Sequence, residues 1–118
     1  MNANDEPRRK RRRKVTDKVE VVDAMTDMVV GHLGNLSENG MLLIATVPLV
    51  DDALYQLRFN LCHSRDRSRA IEVGAHLLWQ EGDGVPGHIW VGLRFITVLD
   101  QQLQQLREWL DAPGSHYQ

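Results

Sequence analysis

The stretch YQLRFNL at residues 55–61 alternates apolar and polar side chains at every position. The pattern recurs in IEVGAHLLW at residues 71–79, where Leu78 interrupts the polar face, and in IWVGLRF at residues 89–95. A period of two residues is typical of strands that bury one face. Between the last two stretches, residues 81–87 contain three glycines and one proline, which predicts a hairpin.

Three shorter apolar runs precede these stretches and are separated by turn-forming residues. The runs lie near residues 19–21, 28–33 and 41–45, and turns are expected at Thr26-Asp27, at residues 35–40 and around Pro48. Six short strands joined by short connections favour an antiparallel sheet that curls into a barrel. The predicted fold class is therefore all-β, a six-stranded antiparallel β-barrel with one C-terminal helix.

The helix is predicted from a change of period after residue 95. Leucines then recur at i, i+4, i+7 and i+11, which is one face of a helix: Leu99, Leu103, Leu106 and Leu110. Asp100 is expected to be the N-cap, and Pro113 with Gly114 to end the helix. We expect the leucine stripe and Trp109 to pack against the barrel.

The charge of the chain is unevenly distributed. Residues 1–14 hold seven basic and two acidic residues, a net charge of +5, whereas the rest holds seven basic and fourteen acidic residues, a net charge of −7. We therefore divide the chain into a basic arm at 1–14, a barrel domain with its helix at 15–112, and a tail at 113–118. The free arm is expected to be disordered and to be attracted to an anion.

The sequence offers little for catalysis or for metal binding. Cys62 and His63 are adjacent, so on a strand their side chains would point to opposite faces and form a poor nucleophile–base pair. The five histidines show no metal-ligand spacing, and Asp51-Asp52 is typical of a solvated turn. We expect no enzymatic activity, no metal and no cofactor.

Composition also bears on location. No apolar run approaches the roughly 18 residues of a membrane span, and no apolar stretch follows the basic N-terminal residues as in a signal peptide. A single cysteine cannot form an internal disulfide, which suits a reducing compartment. We expect a cytoplasmic protein without a membrane span.

Two features remain as candidate binding elements. The first is the basic run at residues 8–14, which could equally be a solubilising tail. The second is the segment Asn35-x-Ser37-x-x-Gly40, which could be only a turn, with Asn and Ser bonding local amides and Gly40 adopting positive φ. As a binding element, its amide, hydroxyl and exposed backbone could recognise a polar base and a phosphate edge.

Together and in this order, the two features resemble the PilZ domain family, which carries an R-x-x-x-R stretch before its first strand and a [D/N]-x-S-x-x-G motif about twenty residues later. Arg9 and Arg13 fit the first motif, and Arg8 with Arg12 is the alternative register. We favour Arg9 and Arg13 because Arg13 lies nearest the first strand. The resemblance extends to Trp79 on its strand, to the glycine-rich hairpin, to residues 92–95 and to the closing helix.

The resemblance implies a bacterial receptor for cyclic di-GMP. Guanidinium groups bind phosphate oxygens and guanine edges in bidentate fashion, so Arg8, Arg9, Arg12 and Arg13 are the expected arm contacts. Asn35 and Ser37 would fix one guanine, and Gly40 would let the backbone approach closely. Trp79 is a candidate neighbour of a guanine; the competing interpretation places it in the core.

The output is expected to be a signal to a separate effector protein, given through ordering of the arm on binding. One alternative is a protein-interaction module whose basic arm docks an acidic partner without binding a nucleotide. Another is a nucleic-acid-binding barrel, which should combine a basic face with exposed aromatic residues. The acidic body and the low aromatic content of 6% argue against DNA or RNA as a partner.

Overall fold

The computed structural model describes residues 12–15, 18–61 and 70–112. Arg8, Arg9, Cys62 and the predicted tail at 113–118 lie outside the described residues. Seven strands precede the helix: β1 Arg13–Lys14, β2 Glu20–Asp23, β3 Met28–Leu36, β4 Gly40–Ala45, β5 Leu54–Phe59, β6 Ile71–Gly82, β7 Ile89–Val98, and then α1 Asp100–Asp111.

The strands form one antiparallel sheet that closes on itself. Its order is β3-β2-β5-β6-β7-β4, and β3 pairs again with β4, so six strands complete a barrel. The short β1 pairs with the end of β3, where Arg13 lies opposite Leu36 and Lys14 opposite Asn35. The predicted six-stranded barrel with a C-terminal helix is confirmed, and the sheet begins before residue 15, because Arg13 and Lys14 already belong to it.

The alternation seen in the sequence separates the inside of the barrel from its outer surface. Leu57 and Phe59 of β5 are buried, as are the inward residues of β6 and β7: Ile71, Val73, Ala75, Leu77, Val91, Leu93 and Phe95. Burying these side chains stabilises the domain by about 1.5–3 kcal/mol for each large aliphatic or aromatic residue. The interior is therefore a packed core, and binding surfaces must lie outside it.

Helix α1 packs leucine side chains against this core. Its N-terminus differs from the prediction in two respects. Leu106 and Leu110 are buried, and Leu103 and Trp109 pack against the core cluster. Leu99, by contrast, is 63% exposed and is itself the N-cap, with extended backbone angles and no side-chain cap. Asp100 lies in the first turn rather than at the cap, where its negative charge still favours the helix N-terminus.

The outward position of Trp79 corrects the interpretation that placed it in the core. The register between β6 and β7 shifts between Leu77 and Trp79, so Leu78 is an extra residue. A β-bulge of this kind reverses the side-chain alternation after it. Trp79 is 47% exposed on the outer surface, whereas Leu77 is fully buried.

Candidate functional site

Arg12 makes the contact that joins the basic arm to the second motif. Its Nη1 donates a hydrogen bond to Oδ1 of Asn35, at a distance of 2.8 Å. Asn35 lies near the end of β3 and is only 4% exposed. The structure therefore brings the arm and the motif together, although 23 positions separate the two residues along the chain.

The Arg12 guanidinium is partly removed from water. Burial lowers the pKa of Arg12 below its ordinary value, and the group remains charged at neutral pH. A cation that has already lost part of its hydration costs less to desolvate further when an anion approaches. This site thus offers a fixed positive charge next to the amide of Asn35.

Arg13 faces the other way and contacts the helix. Its guanidinium carbon lies 4.1 Å from the centre of the Trp109 ring, and its Nη1 donates to the backbone carbonyl oxygen of Trp109. A cation near the C-terminal end of a helix is favoured by the helix dipole. Of the two described arginines predicted to bind a ligand, Arg12 is at the motif and Arg13 is engaged with α1.

Ser37 is fully buried within the loop that joins β3 to β4. Its Oγ lies 3.0 Å from Oδ1 of Asn39 and 3.3 Å from the carbonyl oxygen of Gly40. The backbone amide of Ser37 also donates to that carbonyl, at 3.0 Å. In this conformation Ser37 fixes the loop and has no surface to offer a ligand.

Gly40 is required by close packing rather than by its backbone conformation. Among the described glycines, those with positive φ are Gly84 and Gly87, so the positive φ expected at Gly40 is wrong. A Cβ at position 40 would lie 2.6 Å from the carbonyl oxygen of Leu93 and 3.7 Å from Nη2 of Arg12. The close approach of the Leu93 carbonyl therefore accounts for the glycine, whereas the distance to Arg12 is an ordinary van der Waals contact.

Trp79 lies on the same outer surface as Asn35, and strands β4 and β7 lie between the two residues. The register aligns Asn35 with Leu42, Leu42 with Gly92 and Gly92 with Trp79, in one row across four strands. A side chain on Gly92 would overlap the Trp79 indole, so the ring lies directly over the Gly92 backbone. The motif and an exposed aromatic ring thus share one face of the barrel.

Three residues on this face were not predicted from the sequence: Lys18, His32 and Trp90. They line a pocket next to Asn35 together with Lys14. The alternation pattern places His32 and Trp90 on the outer surface, but it does not show that they lie close together. Their proximity follows from the cross-strand register, in which both face Ile44.

The described residues contain neither a cluster of metal ligands nor a helix that could span a membrane. Nowhere in 12–15, 18–61 and 70–112 do three or more His, Cys, Asp or Glu residues cluster so that they could hold a metal ion. Within the same ranges, α1 is too short and too polar to cross a membrane.

Comparison with known proteins gives one family and several solved structures. The model of the PilZ domain matches residues 6–112. The Bacillus subtilis inhibitor of motility MotI/DgrA superposes with a TM-score of 0.67 at 15% identity, over 85% of this chain and 47% of that chain. Escherichia coli YcgR in complex with c-di-GMP gives a TM-score of 0.63 at 16% identity, over 84% and 42%.

MrkH of K. pneumonia in its apo state gives a TM-score of 0.63 at 12% identity, over 83% of this chain and 46% of that chain. The chain therefore spans less than half the length of these three proteins. At such identities the likeness establishes the fold. No curated protein sequence matches the chain.

Proposed function

The chain belongs to the PilZ domain family, and on that basis we propose that it is a bacterial, cytoplasmic receptor for cyclic di-GMP. The ligand binds on the outer face of the barrel, between the basic arm and the Asn35-x-Ser37-x-x-Gly40 motif. The domain binds the nucleotide without chemical change and signals to a separate protein. YcgR, which shares the fold, has been solved with c-di-GMP bound.

The observation that carries this proposal is the hydrogen bond between Arg12 and Asn35. A guanidinium binds phosphate oxygens and guanine edges, and the neighbouring side-chain amide of Asn35 adds a hydrogen-bond donor and acceptor for a base. The Arg12 Nη groups need only turn outward to meet a phosphate, while Asn35 keeps its place on β3. Arg12 and Asn35 are therefore already positioned for binding a nucleotide before it arrives.

The contacts of the arm favour one register of the arginine motif. Arg12 lies at Asn35, whereas Arg13 would have to leave Trp109 before it could reach a ligand on the same face. We therefore assign Arg8 and Arg12 as the R-x-x-x-R pair, in place of the Arg9 and Arg13 register favoured from the sequence. Arg8 then approaches the ligand from the part of the arm beyond the described residues.

The remaining motif residues act in different ways. Ser37 positions the loop, since it is fully buried and bonded to Asn39 and Gly40. Gly40 lets β4 lie close to the Leu93 carbonyl of β7 and would let the ligand approach the backbone of β4. Trp79 offers a half-exposed indole on the same face, on which a guanine can stack.

We expect helix α1 to transmit ligand binding to the partner protein. Arg13 of the arm holds Trp109, and Glu38 of the motif loop forms an ion pair with Arg107. Both sides of the proposed site thus touch the helix, and ordering of the arm around a ligand changes the surface that a partner meets.

Titration calorimetry with cyclic di-GMP tests the proposal. Arg12→Ala and Asn35→Ala should weaken binding by roughly ten- to a hundredfold and a few-fold, respectively, from the cost of losing charged and neutral hydrogen bonds. Arg58→Gln is the matched control, because Arg58 pairs with Asp27, outside the proposed site. Absence of binding by the unmodified chain would refute the receptor function, and binding of an acidic peptide instead would favour a protein-interaction module.

A further inference from the structure

A pocket of about 450 Å³ lies next to Asn35 on the outer face of the barrel. We infer that it is a second subsite, which takes a phosphate and its attached guanine, with Lys14 and Lys18 binding the phosphate and Trp90 contacting the base. This inference rests on the proposed function, because it extends the same nucleotide site beyond Arg12 and Asn35. It adds residues that belong to neither sequence motif.

The charge of the pocket selects an anion. Among the described residues that line the pocket, the ionisable ones are Lys14, Lys18 and His32, and none is acidic. The chain outside residues 1–14 has a net charge of −7, whereas the described lining combines Lys14 of the basic arm with Lys18 of the body and contains no carboxylate. Neither lysine side chain has a hydrogen bond or ion pair to the part of the chain that the structure describes, and both amino groups can turn toward a phosphate.

The floor of the pocket suits an aromatic ring. Leu42 and Ile44 of β4 lie on the outer surface, and Ile44 is flanked in the register by His32 on β3 and Trp90 on β7. Neighbouring strands lie about 4.8 Å apart, so this row is roughly 10 Å wide. An apolar floor with an aromatic wall and cations at the rim is the arrangement expected for a base that carries a phosphate.

Trp90 is held in place before any ligand arrives. Its Nε1 donates to Oδ2 of Asp83 at 3.1 Å, and its ring meets that of His88 edge-to-face at 5.6 Å. His88 in turn bonds to the same carboxylate at 2.7 Å. Hydrogen bonds from the Val85 amide, His88 and Trp90 lower the pKa of Asp83 to about 2, so the carboxylate stays ionised and keeps both rings in position.

His32 gives the pocket a spectroscopic reporter. Burial, the positive charge of Lys18 and the proximity of His88 lower the pKa of His32 below 6.5, so the imidazole is neutral at pH 7. Glu20 lies directly opposite on β2, and Lys14 lines the same pocket. A phosphate near the ring would oppose these effects and raise the pKa of His32.

The test compares the double variant Lys18→Ala/His32→Gln with Arg12→Ala and with the Arg58→Gln control, each titrated calorimetrically with cyclic di-GMP. The double variant should bind about tenfold more weakly than the unmodified chain, as expected for one lost charged contact. In parallel, NMR titration of the unmodified chain should show the His32 imidazole pKa rising when cyclic di-GMP is bound.

The outcomes distinguish failure of the receptor function from failure of the subsite alone. If the unmodified chain binds no cyclic di-GMP, the receptor function fails and the subsite with it. If the chain binds and Arg12→Ala weakens binding, while the double variant keeps full affinity and the His32 pKa is unchanged, only the subsite is refuted. The NMR readout uses the unmodified protein and therefore does not depend on the folding of any variant.

Discussion

The guanidinium of Arg13 stacks on the indole of Trp109, with its carbon 4.1 Å from the ring centre. The residue before it, Arg12, bonds instead to Asn35. Two consecutive arginines thus serve two different parts of the molecule, one the helix and the other the motif. Substituting each arginine by alanine should therefore have a different effect on the protein.

Arg13→Ala should lower the free energy of unfolding by about 1–2 kcal/mol, because one cation–π contact and one hydrogen bond to the helix are lost. Arg12→Ala should lower it by less, about 0.5–1 kcal/mol for one hydrogen bond to Asn35, and should mainly reduce ligand affinity. Urea denaturation of the two variants measures the difference. Equal stability losses would show that both arginines serve the fold.

Leu106→Ala should destabilise the domain by about 2–5 kcal/mol, because Leu106 is fully buried and its truncation leaves a cavity. Leu99→Ala is the matched control: Leu99 belongs to the same stripe but is 63% exposed, so its loss should cost less than about 0.5 kcal/mol. Thermal unfolding compares the two variants. Similar melting temperatures would contradict the packing of α1 described above.

Gly40→Ala should destabilise the domain and weaken binding, because the new Cβ would lie 2.6 Å from the carbonyl oxygen of Leu93. That oxygen belongs to the backbone of a paired strand and cannot move away without breaking the sheet. Gly82→Ala is the control, since no described atom lies within 4 Å of the added carbon. It should be neutral or slightly stabilising, as the unfolded chain loses freedom. A Gly40→Ala protein as stable as Gly82→Ala would be contrary to this expectation.

The lowered pKa of His32 predicts a loss of stability in acid. Above the unfolded-state pKa of about 6.5 the imidazole is neutral in both states, so it contributes nothing to the pH dependence. As the pH falls below that value, the unfolded chain binds a proton that folded His32 resists, and stability decreases until the pH reaches the lower folded-state pKa. The melting temperature of His32→Gln should therefore fall less than that of the unmodified chain between pH 7.5 and about 5.5. Parallel pH profiles would argue against a depressed pKa.

The alternation of apolar residues was enough to predict the barrel, because a strand that buries one face must repeat every two residues. It could not predict where the repeat is broken. The extra residue Leu78 sends Trp79 outward, and a bulge depends on the pairing of two strands rather than on one sequence. The sequence predicts Asp100 as the N-cap because Asp has a strong capping preference. In the structure the N-cap is Leu99, one residue earlier.

The candidate site was predicted only as far as its motifs extend. Asn35 and Gly40 could be predicted because they match the [D/N]-x-S-x-x-G motif of the PilZ family. Lys18, His32 and Trp90 belong to separate segments, and only the cross-strand register brings them to one pocket. The burial of Ser37 was likewise hidden, because a serine within a turn-rich segment is as compatible with the surface as with the interior.

The position of the Trp79 ring over Gly92 makes the order of substitutions matter in any lineage that carries both residues. A side chain gained first at position 92 would displace the indole at once and impair both packing and the outer face. If Trp79 were first replaced by a small residue, the closest contacts of a side chain at position 92 would be removed. Substitution of Gly92 should therefore be tolerated more easily after the tryptophan has been lost, and a side chain at position 92 would then obstruct the return of the tryptophan.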